Sequence, residues 1–172
     1  MFQLFVGLLF FICGLCGVYK LLSDTPKTVK ILRFHPDKCD GAKGCEVACS
    51  QVHFKSDEGG SKSAIRIIKT KDGYKMHVCD QRGLCLDMCP VGALTRKKNG
   101  VVWLDKNICI GCQACVGFCP IGAMRKSDVR IEPFKCISCG ACVRACPHGA
   151  LELVEVDIDD IKQVVYHKQG AD

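Results

Sequence analysis

The sequence predicts an α+β body assembled from tandem cysteine-bearing units of about thirty residues each, behind one N-terminal transmembrane helix. Three observations carry that expectation. Sixteen of the 172 residues are Cys and seventeen are Gly, against a single Trp and 7% aromatics. An apolar core alone does not hold such a chain, so metal or disulfides must help. Most of the Cys fall into four runs of related spacing. The first nineteen residues carry no charged side chain. With 48% apolar residues the chain is not of disordered type. Its net charge of +6 is mild and selects no partner by itself.

The apolar start comes first. Residues 1–19, extended by Leu21 and Leu22, make a stretch of about 20 residues, and at ~1.5 Å per residue a helix of that length crosses one bilayer core. A cleaved signal peptide would open on basic residues and end on a small-residue site. This segment opens Met1-Phe2-Gln3 and is followed by Ser23-Asp24-Thr25-Pro26. Residues 1–22 are therefore read as an anchor and 23–32 as a linker. Lys20, Lys27, Lys30, Arg33 and Lys38 follow the anchor and no basic residue precedes it. The positive-inside rule then gives a single-pass protein of the cell membrane with its body on the cytoplasmic side. In that reducing compartment a Cys-rich pattern reads as metal binding. Cys13 and Cys16, inside the anchor, read as small apolar packing residues.

The last two Cys runs are complete. Cys109-x2-Cys112-x2-Cys115-x3-Cys119-Pro120 and Cys136-x2-Cys139-x2-Cys142-x3-Cys146-Pro147 both match the bacterial ferredoxin run. Three Cys on one tight turn reach three corners of a cubane, and the fourth, expected to start a helix, ligates the other cluster of a pair. Small residues such as Gly111, Ala114, Gly140 and Ala141 let the backbone curl close to the inorganic core. Its N–H groups then face the cluster sulfurs. A zinc ribbon wants two separated Cys-x2-Cys knuckles instead. At least two [4Fe–4S] clusters are expected.

The first two runs are incomplete in the same way. They read Cys39-x5-Cys45-x3-Cys49 and Cys79-x5-Cys85-x3-Cys89-Pro90, with Ala42 and Arg82 where the second Cys would stand. Neither side chain replaces a thiolate. Asp40, Asp80 and His53 are minor candidates for a spare ligand. Three thiolates suit a [3Fe–4S] cluster; a [4Fe–4S] cubane with a non-Cys ligand and a vacant site are the alternatives. Two further clusters at these three-Cys sites are thus the open count.

Between the runs lie hairpin signals. Ile65–Ile68 and Tyr74–Val78 flank Asp72-Gly73, and Leu94-Thr95-Arg96 and Val101–Leu104 flank Asn99-Gly100. Each Cys-Pro leads to a small-residue turn and an apolar strand start, at Leu94, Met124 and Leu151.

Taken together, Cys45-Glu46-Val47-Ala48-Cys49, Cys85-x3-Cys89-Pro90-x-Gly92-Ala93-Leu94, the Asn-Gly hairpin and Cys109-Ile110-Gly111-Cys112 resemble the four-cluster electron-transfer subunits. Such subunits accompany DMSO-reductase-type molybdoenzymes, formate hydrogenlyase and CO-dehydrogenase-linked hydrogenases. The resemblance spans residues 33–155. It implies a tandem bacterial-ferredoxin-like (polyferredoxin) body of two halves, 76–124 inside and 33–55 plus 128–155 outside. Separately, the acidic residues after the last run mark 156–172 as an acidic tail. The resemblance implies no catalysis by the chain alone. It also implies nested pairing: Cys136, Cys139 and Cys142 take Cys49; Cys109, Cys112 and Cys115 take Cys89; the three-Cys sites are Cys39, Cys45, Cys146 and Cys79, Cys85, Cys119. Sequential pairing of the last two runs with each other remains the alternative by spacing. The chain departs from the family in the two missing Cys, in a shorter second run and in the N-terminal helix.

The expected function is relay of electrons between a catalytic oxidoreductase subunit and a membrane partner. The catalytic subunit would be of molybdenum/tungsten, hydrogenase or CO-dehydrogenase type, and the membrane partner a subunit or the bilayer itself. The alternative is a redox sensor or adaptor with structural clusters. Basic residues at Lys62, Arg66, Lys69, Lys71, Lys75, at Arg96, Lys97, Lys98 and at Arg125, Lys126, Arg130 read as solvated faces. Without interleaved aromatics they do not read as a nucleic-acid site. No phosphate-binding glycine loop or Ser/His/Asp set is present.

Overall fold

The computed structural model describes residues 26–161. The expected transmembrane helix, residues 1–22, lies outside the described residues. Among the described residues no helix is long and apolar enough to cross a membrane.

The body is nested. Strand β1 (Thr28–Phe34) pairs antiparallel with the last strand, β6 (Leu151–Asp157), in register from Thr28 opposite Asp157 to Phe34 opposite Leu151. Between them lie two hairpins. One joins β2 (Arg66–Thr70) to β3 (Gly73–His77), and the other joins β4 (Leu94–Arg96) to β5 (Val102–Leu104). Both form where Asp-Gly and Asn-Gly mark turns. Helix α1 (Gly44–Phe54) packs on α4 (Ala141–Arg144), and α2 (Leu84–Asp87) meets α3 (Ala114–Gly117). First and last elements thus pair, and the middle ones pair inside them. After the third Cys run the expected strand shrinks to one bridge, Arg125 opposite Phe134.

The strand alternation of β1 serves two cores. Val29 and Ile31 face Val101, Ile137, Val156 and Ile158. Leu32 and Phe34 face Ile65, Ile67, Phe134 and Leu151 together with Cys45, Cys49, Cys136 and Cys142. A third cluster joins Leu94, Val102 and Met124 to Cys115, Cys85, Cys89 and Cys119. Thiols therefore occupy positions that aliphatic side chains usually fill. A buried carboxylate also ties elements together. Glu46 on α1 accepts the Ile67 N–H at 2.7 Å and the Gly60 N–H at 3.3 Å, so the hairpin β2–β3 is docked onto the helix.

Three sequence expectations need correction. Residues 28–32, read as linker, are most of β1, because Val29 and Ile31 alternate with polar neighbours and Val29 is fully buried. Residues 156–158 are read as the start of an acidic tail, but Val156 and Asp157 complete β6 and Ile158, just beyond it, is buried against Val29. The fourth Cys of a run does not start a helix. Cys89, Cys119 and Cys146 each follow the end of a four-residue helix, and the next residue is Pro, which disfavours helical backbone before it. In the first run no Pro follows Cys49, and α1 runs on through both Cys45 and Cys49 to Phe54.

Gly100 shows how closely the halves approach. Its φ is +78°, and a Cβ there would overlap the Thr28 carbonyl and lie 2.7 Å from the Val29 Cβ. Gly92 has a similar φ of +64° with open space around it. Gly92→Ala is expected to cost about 1–2 kcal/mol from backbone strain. Gly100→Ala adds about 1–3 kcal/mol of overpacking to that. Thermal unfolding of the two variants side by side checks the difference, and equal losses would contradict the close approach.

Candidate metal centres

Each Cys run forms one loop, and the four loops share a backbone conformation. The second and fourth residues after the leading Cys have positive φ in every run: Gly41 and Lys43, Gln81 and Gly83, Gly111 and Gln113, Ser138 and Gly140. Four of the five non-glycine residues with positive φ among the described residues stand at these positions. L-residues adopt this region at a cost, so a repeated left-handed pair signals a constraint worth that strain. The pair curls the loop so that its Cys converge and its N–H groups turn inward. Gln81 N–H donates to Cys79 Sγ at 3.4 Å and Ser138 N–H to Cys136 Sγ at 3.4 Å. Beyond the run, Ala64 N–H reaches Cys49 Sγ at 3.3 Å, and Ala93 and Ala123 reach Cys89 and Cys119, each at 3.2 Å. The two runs that lack a Cys keep the loop intact. Ala42 and Arg82 sit where Cys112 and Cys139 sit in the complete ones.

The loops bring the sulfurs into four groups. Cys49, Cys136, Cys139 and Cys142 line one cavity. Cys115 lies in the field of Cys109, Cys112 and Cys89. Cys79, Cys85 and Cys119 line a second cavity. Cys45 lies in the field of Cys146, and Cys39 and Cys146 pack on the same cluster. These groups match the nested pairing and not the sequential one, because the β1–β6 pairing and the α1–α4 packing carry the first run to the fourth. The groups also follow one another. Cys85 lies in the field of Cys115, Cys136 in that of Cys79, and Cys142 in that of Cys45.

All fourteen described Cys are free thiols. Burial pushes Cys45 and Cys115 up to about 11, and Cys85, Cys136 and Cys142 up to about 12. Burial also raises Cys49 and Cys79. Cys89 is the exception. Burial pushes it up, but the N–H groups of Leu94, Val91, Ala93 and Gly92 outweigh that and lower it. Buried thiols of this kind ionise readily only when a metal takes the proton's place. Among the described residues no three or more His, Cys, Asp or Glu side chains converge tightly enough for a single metal ion. Sets of three or four thiols on open loops are what a wider iron–sulfur core takes.

The spare-ligand candidates are otherwise engaged. Asp40 accepts the Ala42 N–H at 3.0 Å and pairs with His148 at 3.0 Å. Asp80 accepts the Arg82 N–H at 3.2 Å and holds the Arg82 guanidinium in an ion pair. Both three-Cys loops thus carry an Asp turned back onto the residue that replaces the second Cys. His53 lies beside the four-Cys set of Cys49, where no ligand is missing. Its ring packs on Phe54 and Phe134. Burial, with Arg130, Lys106 and Lys135 nearby, pushes it down to about 4. Sequence reasoning missed Gln81, Arg96 and Lys135. Gln81 is fully buried and hydrogen-bonded on every side. Arg96, read as part of a solvated face, instead donates to the carbonyls of Gln81, Arg82 and Gly100. Lys135 is 4% exposed. The one available signal was position: Gln81 lies inside the second run and Lys135 directly precedes the fourth.

Comparison with known proteins agrees with the loop geometry. Residues 101–147 and 135–170 each match a 4Fe-4S dicluster domain. YsaA of Escherichia coli K12, a putative electron transport protein, is 34% identical over 96 residues, covering 51% of this chain and 60% of that protein. The polyferredoxin-like subunit of the aliphatic sulfonate oxidoreductase of Pyrococcus furiosus is 38% identical over 87 residues, 46% of this chain and 48% of that one. The thiosulfate reductase electron transfer subunit PhsB of Salmonella typhi is 30% identical over 99 residues, 51% of each. The chain spans about half the length of the curated relatives it matches. Its C-terminal part therefore carries ferredoxin-like 4Fe-4S domains of mixed helix and strand content, similar to those of proteins named for electron transfer.

The raised thiols set a pH dependence. They are protonated near neutrality, and each must lose its proton to bind iron. Reconstitution with iron and sulfide is expected to release protons, and its apparent affinity is expected to rise from about pH 6.5 to about pH 8.5. Assembly that does not depend on pH would contradict the buried-thiol geometry.

Proposed function

We propose that the chain is an iron–sulfur electron-transfer subunit that holds a line of four clusters. Cys89, Cys109, Cys112 and Cys115 hold one [4Fe–4S] cluster at one end. Cys49, Cys136, Cys139 and Cys142 hold another. Between them Cys79, Cys85 and Cys119 hold a [3Fe–4S] cluster, and Cys39, Cys45 and Cys146 hold the fourth, of the same type. The observation that carries this reading is the shared loop. All four runs keep the same left-handed pair and converge their thiols, whether or not the second Cys is present.

The clusters supply one-electron chemistry when bound. The chain's own residues position and insulate them. Backbone N–H groups directed at the sulfurs stabilise thiolate charge. Burial on Ile65, Ile67, Leu94 and Met124 keeps water away. The adjoining sulfurs of neighbouring groups make the path short. Cys112 and Cys139 are exposed, and electrons enter and leave at these loops. In this reading the chain passes electrons and leaves the substrate chemistry to a partner.

That partner is a catalytic oxidoreductase subunit, in keeping with the thiosulfate reductase and sulfonate oxidoreductase named for the relatives. Residues 1–22 anchor the relay in the membrane with its body on the cytoplasmic side, and the other partner is a membrane subunit. The apolar, uncharged run from Met1 to Tyr19 and the Lys and Arg that follow it support this placement.

Iron analysis with EPR on the anaerobically purified full chain tests the reading. About fourteen irons and an oxidised [3Fe–4S] signal are expected, whereas about eight irons would leave only the two four-thiol sites filled. Cys112→Ser and Cys139→Ser are expected to abolish onward transfer from a chemical reductant while the remaining centres still reduce. Unimpaired transfer in both variants would overturn the relay.

A further inference from the structure

Two cations lie beside the three-thiol group of Cys79, Cys85 and Cys119 without an anion to balance them. Lys135 is 4% exposed. Its ammonium donates to Gln81 Oε1 at 2.8 Å and to the Cys136 carbonyl at 3.0 Å. Arg96 donates to the Gln81 carbonyl at 3.0 Å, the Gly100 carbonyl at 2.6 Å and the Arg82 carbonyl at 3.1 Å. All five partners are neutral. Among the described residues neither cation forms an ion pair, and the nearby Asp80 is already held by Arg82.

Burying a cation with neutral partners only is costly, and proteins normally place an anion beside it. The Lys135 side chain lines the Cys79–Cys85–Cys119 cavity together with Arg82 and Met124. It acts electrostatically on Cys79, Cys85 and Cys136, so it faces two thiol groups at once. Arg96 lies in the field of Cys85 and Cys79. Gln81 fixes the arrangement. It is 0% exposed, and its Nε2 donates to the Cys136 carbonyl at 2.7 Å while its Oε1 accepts from Lys135 and from the Val102 N–H. The second run's loop is thereby bolted to the fourth run's loop, with the ammonium between them.

We propose that Lys135, with Arg96 behind it, is the built-in counter-charge of an anionic iron–sulfur cluster at Cys79, Cys85 and Cys119, and that it raises the reduction potential of that cluster. The inference rests on the relay reading and deepens it in two ways. It makes the central three-thiol site a filled one. It also makes that site an easier electron acceptor than its thiol set alone would be. Reduction adds one electron and one negative charge to the cluster without a proton, and a fixed positive charge at close range favours the reduced state. Lys135 is a positioning residue here: it touches no iron and acts through charge.

The test is an EPR-monitored redox titration of the full chain with its clusters. Cys79→Ser identifies the signal of the central site by removing it and lowering the iron content. In Lys135→Met, which keeps the length and loses the charge, the equilibrium for reducing that signal is expected to shift at least tenfold toward the oxidised form. For one electron that is about 59 mV downward. Lys135→Arg, which restores the charge, is expected to stay within about threefold of the parent protein, since a merely structural loss would not follow the charge. Arg96→Gln provides a second variant with an independent, smaller shift in the same direction. If Lys135→Met fails to assemble, Lys135→Arg and Arg96→Gln still decide the question. An unmoved potential at full iron content, in Lys135→Met or, if that variant does not assemble, in Arg96→Gln, overturns the counter-charge. Unchanged iron in Cys79→Ser overturns the filled site. Neither outcome touches the relay reading, which fails instead if the parent chain binds no clusters or its reduced centres pass no electrons.

Discussion

The loop that turns twice through left-handed backbone is the constraint from which the rest of the structure follows. Once the second and fourth residues after a leading Cys take positive φ, the chain enters a helix, and in the last three runs that helix is short and the final Cys leaves it on the far side. A loop built this way cannot complete its own donor set. Its last Cys points to a different group from its first three. Four such loops must therefore lend sulfurs to one another, and the lending settles the topology. The first run serves the fourth, the second serves the third, and the strands at the outside of the body pair to hold the arrangement.

This dependence also explains the thin core. Leu94, Val102 and Met124 on one side and Leu32, Ile65, Ile67 and Phe134 on the other pack around thiols as much as around each other. In the iron–sulfur reading the clusters are the central packing elements of both halves, and ligation energy stands where apolar burial stands in other domains of this size. The loss of one Cys from a loop is tolerated because the conformation is held by the remaining thiols and by an Asp that satisfies the exposed N–H. Asp40 does this for Ala42, and Asp80 does it for Arg82.

Much of this was legible in the amino-acid order. Cys spacing marked the four loops, and the Asp-Gly and Asn-Gly turns marked both hairpins, while the Cys before each Pro ends a short helix where the sequence suggested a helix start. These are local signals, in which one residue type at one offset forces one backbone state. What could not be read was whatever depends on distant neighbours. Most of strand β1 falls in the stretch read as a linker, and only pairing with β6 reveals that Val29 and Ile31 face inward. Arg96 looked like one member of a basic surface run until the hairpin folded it under the second loop. Lys135 and Gln81 are ordinary residues in ordinary positions. Their importance comes from being buried at the seam between loops more than fifty residues apart in sequence.

The pairing of β1 with β6 fixes an order of events as well as a shape. The inner elements, α2 through α3 with the β4–β5 hairpin, complete their contacts within a short stretch of chain. The outer group must wait until a strand some hundred and twenty residues downstream has emerged from the ribosome and come back to Thr28. During synthesis the protein thus passes through a stage in which its middle is closed and its outer cysteines are bare. That stage is when those thiols are most open to oxidation or to the wrong metal, so the chain's vulnerability is concentrated in time.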